Sequence, residues 1–261
     1  LIQHNNMRGR MEKMTIAALS GHEKMLSLVY DIPYIDPQQM WGVWGGINYT
    51  TTHELLYGAA MNKPLWYKST ESVLKEQWSM GGGIKYRPDY LNYHQIGLYY
   101  YSLHLNDSVL ILNPAYSGER NLLNASYTAL KYFYKSDHRD QHYYPLNGHY
   151  LDLNIEIGGS LERKGGISPF SNLSSNLRMY KSLSSRLFAG AGITAFYSFP
   201  GDSPFMFNYG LGFGRNFVRA YEDYIIPMDE FVLLKSNIKY AILPQKELHL
   251  PLIPGEQFNR M

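Results

Sequence analysis

The most constraining feature of this chain is a two-residue hydrophobic period sustained over unusually long stretches. Residues 151–157 place Leu151, Leu153, Ile155 and Ile157 on one side and Asp152, Asn154 and Glu156 on the other. Only an extended backbone sends alternate side chains to opposite faces in this way. The pattern recurs in 73–86, where Leu74, Trp78, Met80, Ile84 and Tyr86 oppose Lys75, Gln77, Ser79, Gly81, Gly83 and Lys85, with Glu76 interrupting the apolar row. In 186–199 the row Leu187, Ala189, Ala191, Ile193, Ala195, Tyr197 and Phe199 faces away from Arg186, Gly190, Gly192, Thr194 and Ser198. In 232–242, Val232, Leu234, Ile238, Tyr240 and Ile242 face away from Lys235, Asn237 and Lys239. Helical spacing of apolar residues is hard to find, so the chain reads as all-β.

Turn residues between these runs place strands near 8–19, 23–33, 39–50, 53–61, 72–87, 92–105, 122–136, 148–159, 172–182, 186–199 and 229–242. Many exceed the usual soluble strand of about 5–6 residues and match the roughly 9–11 residues that cross a bilayer on a tilt. Connections alternate in size. Ser20-Gly21-His22, Arg87-Pro88-Asp89 and 181–184 are short, while 106–121, 160–171 and 200–228 are long, as in an antiparallel transmembrane β-barrel. The 24 tyrosines against 11 phenylalanines favour rings that rest at a lipid headgroup boundary, and Tyr99, Tyr100, Tyr101, Tyr132, Tyr134, Tyr143, Tyr144, Tyr221 and Tyr224 are expected near strand ends.

Composition removes several other classes. Aromatics at 15% exclude a disordered chain, and no run of about 18 apolar residues marks a membrane helix. A net charge of +2 with scattered Lys and Arg argues against a nucleic-acid partner. The absence of cysteine removes disulfides and thiolate sites, and fits passage through an oxidising compartment. Leu1-Ile2-Gln3-His4 lacks a basic, apolar leader, so a signal peptide is expected to have been removed or the sequence to begin internally. A soluble sandwich or lipocalin-like barrel is the rival fold, but its polar row would face solvent, whereas Lys and Glu near mid-strand here suit a wet lumen.

Two segments go beyond periodicity. Asp137-His138-Arg139-Asp140, then Tyr144-Pro145-Leu146-Asn147-Gly148 before an alternating strand, resembles the D-x-R-D…(Y/F)-P-x-x-G hairpin of the BamA/TamA superfamily of outer-membrane assembly and translocation barrels. Gly210-Leu211-Gly212-Phe213-Gly214-Arg215-Asn216-Phe217-Val218-Arg219-Ala220-Tyr221-Glu222 is similar to that superfamily's G-G-x-x-x-V-R-G-(Y/F) element in the sixth external loop. Weaker agreement comes from Arg8-Gly9-Arg10, from Asp31-Ile32-Pro33-Tyr34-Ile35-Asp36 and from Ile253-Pro254-Gly255-Glu256-Gln257-Phe258-Asn259, in the manner of bacteroidete-like members.

The resemblance implies a barrel of the sixteen-strand type, with about eleven or twelve strands present in residues 1–261 as part of a single domain. POTRA modules and the last strands are expected to lie outside this sequence, including an F-x-D-x-G strand whose carboxylate would pair with Arg219. It further implies that Arg219, Tyr221, Glu222, Gly212 and Gly214 anchor a loop in the lumen, and that Asp137, Arg139, Asp140, Tyr144, Pro145 and Gly148 shape a periplasmic hairpin. Ala220 stands where the family carries glycine, which argues against a left-handed backbone there and points to a paralogue of the central assembler. The implied location is the bacterial outer membrane of a Gram-negative cell. The implied partners are the lipid bilayer, client outer-membrane proteins and accessory lipoproteins. The implied role is client insertion or translocation, without catalytic residues, metal or cofactor.

Other chemistry is weak. His138 and His142 flank Asp140 at helical metal spacing but at a hairpin, and Gly210-x-Gly212-x-Gly214 precedes no helix as a dinucleotide loop must. His22-Glu23 lacks a second histidine, and the sequons at Asn48, Asn106, Asn124 and Asn172 carry no meaning in a bacterial chain. A barrel hydrolase is the rival from another class: Asp107, Asp202, Asp223 and Asp229 lie in long loops, and His104 beside Asp107 is its one testable pair. A passive pore is the third reading.

Overall fold

The computed structural model describes residues 1–118, 122–161, 166–201, 204–207, 209–214 and 216–243. Its strands are β1 (Ile2–Asn5), β2 (Lys13–Leu19), β3 (Glu23–Ile32), β4 (Trp41–Thr52), β5 (Glu54–Ala60), β6 (Lys63–Lys68), β7 (Lys75–Tyr86), β8 (Asn92–Leu105), β9 (Asn124–Asp137), β10 (Gly148–Gly159), β11 (Phe170–Ser182), β12 (Leu187–Phe199), β13 (Tyr209–Leu211), β14 (Ile226–Met228) and β15 (Glu230–Tyr240). A short helix, α1 (Asp107–Leu112), follows β8. Eleven strands form one antiparallel sheet in the order β1-β2-β3-β4-β7-β8-β9-β10-β11-β12-β15. Among the described residues β1 and β15 are its two edges.

Three sequence expectations need correction. The run 53–61 is no strand of the large sheet: β5 pairs only with β6 in a separate hairpin, with a bulge between Leu56 and Gly58. The eleventh strand of the sheet is instead β1, which carries too short a pattern to read, and 8–12 is a turn. Setting the hairpin aside also moves Ser20-Gly21-His22 to the end of the sheet that carries the long connections. The other end then holds only the turns at 6–12, 33–40, 87–91, 138–147 and 183–186. The segment 106–121, expected to be all loop, contains α1, capped by Asn106 accepting from the Ser108 amide.

The two faces of the sheet differ as the alternation requires. Leu26, Leu28, Met80, Ile84, Ile96, Leu98, Leu130, Ile157, Leu173, Ile193, Val232, Leu234 and Ile238 are all exposed on the outer face. The opposite row carries Lys131, Glu156, Asp152, Asn176, Arg178 and Lys235. A dry centre made of the apolar row, as in a soluble sandwich, is therefore not what forms. The tyrosines divide accordingly. Tyr132 and Tyr134 fall in the lower half of β9, but Tyr99, Tyr100 and Tyr101 sit inside β8 rather than at its end.

A dry core does exist, at the long-connection end. Leu55, Leu74, Leu103, Leu105, Val109, Tyr116, Ala125, Tyr127, Ala129, Ile167 and Phe170 cluster there, with Phe205, Met206 and Phe207 packed against them. Leu74 belongs to this core and not to the outer row, because the chain before β7 is still in the connection. The cap is stitched by hydrogen bonds to main-chain carbonyls: Asn113 Nδ2 donates to the Tyr57 carbonyl (2.6 Å), Met206 N–H to the Tyr116 carbonyl (3.0 Å) and Ile225 N–H to the Asn62 carbonyl (2.8 Å). Three connections thus become one body.

Candidate functional site

The hairpin between β9 and β10 is held from within by its acidic and basic residues. Arg139 grips Asp137 through two bonds, Nε to Oδ1 and a terminal nitrogen to Oδ2, both 2.8 Å, and donates to the His142 carbonyl at 3.2 Å. Such a planar fork fixes orientation as a lysine could not. Asp140 accepts from the amides of Gln141 (2.9 Å) and Leu146 (3.0 Å). Burial alone would raise its pKa, but the amides of Leu146, Asn147 and Gln141 outweigh that and hold the carboxyl below the usual range. Gly148 takes φ +98°, and a Cβ there would strike the His138 carbonyl, so the turn requires glycine.

This hairpin also reaches the far edge strand. Lys239 of β15 donates to the Pro145 carbonyl at 2.8 Å and lies 3.9 Å from the Tyr144 ring centre, and the Ser182 amide donates to Asn147 Oδ1 at 2.9 Å. Pro145 is buried beneath these contacts while Tyr143 and Tyr144 are exposed. The six predicted hairpin residues therefore come together in one turn.

On the inner face, polar side chains link strand to strand. Lys131 pairs with Glu156 (3.0 Å) and sits 5.1 and 5.2 Å from the ring centres of Tyr99 and Tyr101. Thr194 donates to Asn176 (2.7 Å), which donates to Asp152 (2.9 Å). Tyr150 lies within cation–π distance of both Arg139 (4.6 Å) and Arg178 (5.5 Å), and Lys85 pairs with Asp31. The residues of this ladder were individually missed by sequence reasoning. Their only sequence signal is their phase in the polar row.

The segment that follows β12 turns back over this face. β13 and β14 pair antiparallel, and Gly212, at φ +86°, lets its backbone pass so close to the Tyr224 carbonyl that a Cβ would clash. Gly214 is also left-handed, at φ +58°. Asn216 is buried and lines a cleft with Asn176, Arg178, Thr194, Lys235 and Asn237 of the inner face. Arg219 is exposed, and its charge is felt at Lys235 together with that of Arg178. It makes no hydrogen bond or ion pair to another described residue.

Ala220 overturns its expectation. It adopts φ +68° as the third residue of a turn closed by Tyr221 N–H to the Val218 carbonyl (3.0 Å), so alanine occupies the left-handed position usually given to glycine. Glu222 answers part of that strain by accepting from the Ala220 amide (3.2 Å), and the Tyr221 ring packs near Tyr224.

The remaining candidates separate. His104 meets Asn124 (2.7 Å), while Asp107 enters the first turn of α1. His142 turns to Asp137 and His138 stacks on His149. No group of three metal-ligating side chains occurs among the described residues. Arg215, Asp202 and 253–259 lie outside the described residues.

Among solved structures the chain is similar to BamA from Haemophilus ducreyi lacking POTRA domains 1–3, with a TM-score of 0.64 and 15% identity over 84% of this chain. The match spans 42% of that BamA chain. No protein-family model and no curated protein matches. The fold is thus that of a BamA-like barrel, reached at a sequence identity that carries fold alone.

Proposed function

We propose that this chain is the greater part of an outer-membrane β-barrel that assists other barrel proteins to insert, assemble or cross, and that it performs no covalent chemistry. The observation that carries the reading is the segment 209–228, folded from the long-connection end onto a polar inner face with Asn216 and Arg219 beside Arg178 and Lys235. The BamA-like fold supports it. An exposed apolar outer face suits lipid, and a polar inner row suits water.

In this reading the long connections face outward from the cell and the turns at 87–91, 138–147 and 183–186 face the periplasm. A sheet edge in lipid leaves backbone donors and acceptors unpaired, at several kcal/mol each. Such an edge is a template for a client strand, which gains its hydrogen bonds by pairing. Tyr221 and Glu222 shape the turn that presents Arg219, whose partner in this reading is a carboxylate outside the described residues, and the Arg139 hairpin braces the periplasmic rim near β15.

The test is reconstitution of the whole protein in vesicles, following the folding rate of a urea-unfolded small outer-membrane barrel. Acceleration that is lost on deleting 210–224, and reduced in Arg219→Ala with strand content preserved, is the expected result. Steady conductance in planar bilayers with no acceleration of the client supports a passive pore and defeats the proposal.

A further inference from the structure

The outer face is mostly apolar, but on β7, β8 and β9 a run of polar residues reaches down into it. Register sets Thr51, Glu76, His104 and Asn124 at one level across β4, β7, β8 and β9, then Tyr49, Trp78, Ser102 and Ser126, then Ile47, Met80, Tyr100 and Thr128. Below them the face returns to Leu98 and Leu130, then Ile84 and Ile96. On β8 and β9 the polar residues therefore descend beside aromatic rings into the apolar belt. They line a cleft of about 370 Å³ that Ser160 and Gly166 of the β10–β11 connection close on one side.

Its groups are arranged for a ligand rich in hydroxyls. Glu76 accepts from the Tyr49 hydroxyl through Oε1 (3.0 Å), and its second oxygen has no partner among the described residues. His104 Nδ1 is 2.7 Å from Asn124 Oδ1, which leaves the other imidazole nitrogen and the amide nitrogen of Asn124 to the cleft. Trp78 is 48% exposed and Tyr100 43%, so both offer ring surface beside these polar atoms.

We infer that this cleft binds a neutral sugar ring, free or as the head group of a glycolipid. A pyranose has an apolar C–H face that packs on aromatic rings and a rim of hydroxyls that donate to a carboxylate or to the free imidazole nitrogen and accept from an amide. Among the described residues no Lys or Arg lines the cleft, so none of these residues balances a phosphate. An acyl chain would cover the Glu76 carboxylate without satisfying it, which is costly. The site lies on the face opposite the segment 209–228, so it stands or falls apart from the assembly reading.

The experiment uses the whole protein in phosphatidylcholine nanodiscs. One arm titrates a panel of neutral mono- and oligosaccharides, and the other incorporates glucosyl- and galactosyl-diacylglycerol. Saturable binding is expected in at least one arm, weakened about tenfold by Glu76→Gln through loss of a charge-assisted hydrogen bond. Trp78→Leu should weaken it comparably and Trp78→Phe should restore most of it, which a merely structural role for the side chain would not predict. Binding in both arms identifies the sugar itself as the ligand, and binding in the second arm alone identifies the glycolipid. The inference is overturned by an absence of saturable binding in both arms. It is equally overturned by affinity that ignores both Glu76→Gln and Trp78→Leu.

Discussion

The inner row of β8 and β9 holds two chemistries along one line of side chains. Toward the long connections it reads Leu103, Leu105, Ala125, Tyr127 and Ala129, all buried. Toward the short turns it reads Gln95 and Tyr93 on β8, and Lys131, Phe133 and Lys135 on β9. The strands do not change face between the halves. What changes is the cover: Phe205, Met206, Phe207, Val109 and Ile167 lie over the first half, and the second is left to side chains that satisfy one another. An inner face can thus be dry or wet within one strand, depending on whether connections reach it.

The largest effect should come from opening the dry half. Leu105→Ala removes a fully buried side chain and should cost about 3 kcal/mol, read as a lower unfolding temperature and faster proteolysis within 106–118. Proteolysis confined to that connection would show the cap to be a separate cooperative unit, sharpening the contrast. At the boundary, Lys131→Met should cost only about 1 kcal/mol, because the Lys131 and Glu156 side chains remain 35% and 26% exposed. Adding Glu156→Gln should recover most of it. A loss as large as that of Leu105→Ala would mean that the ladder is as dry as the cap.

In the segment that folds over the inner face of β11, β12 and β15, Ala220→Gly should stabilise the turn by up to about 1 kcal/mol, since glycine meets no Cβ penalty at a left-handed position. Slower hydrogen exchange at the Tyr221 amide is the measurement. The smallest effect lies at the short-turn end. Asp140 is held below its ordinary pKa, so its contribution is fully present above the unfolded carboxylate value of about 3.9 and is lost as pH falls through the lower folded value. Asp140→Asn should flatten the acid limb of a stability-against-pH profile by lowering stability slightly at neutral pH while leaving the acid end little changed. A wild-type acid limb in that variant would assign the effect to another carboxylate.

Much of this architecture was legible. Ten of the eleven strands of the large sheet lie where alternation and turn residues put them, because period two and strand geometry are local properties. The exceptions share a cause. β1 has four residues, too few for a period, and β5 looks like a barrel strand because pairing partners are not written into a strand's own pattern. The hairpin residues 137–148 were legible as a turn, since Pro145 and Gly148 act locally. Their tie to Lys239 was not, because it joins residues 94 positions apart. Ala220 shows the reverse failure: intrinsic preference argued against a left-handed alanine, and the Val218–Tyr221 turn imposed it.

By itself, then, the sequence determined which side chains share a face, because an extended backbone alternates regardless of its neighbours. Only the tertiary structure decided which parts of the inner face are dry, which strand lies at each edge, and which loops meet over β8 and β9. Those outcomes depend on contacts between distant segments, whose strength is set by shape and cover rather than by any local run of residues.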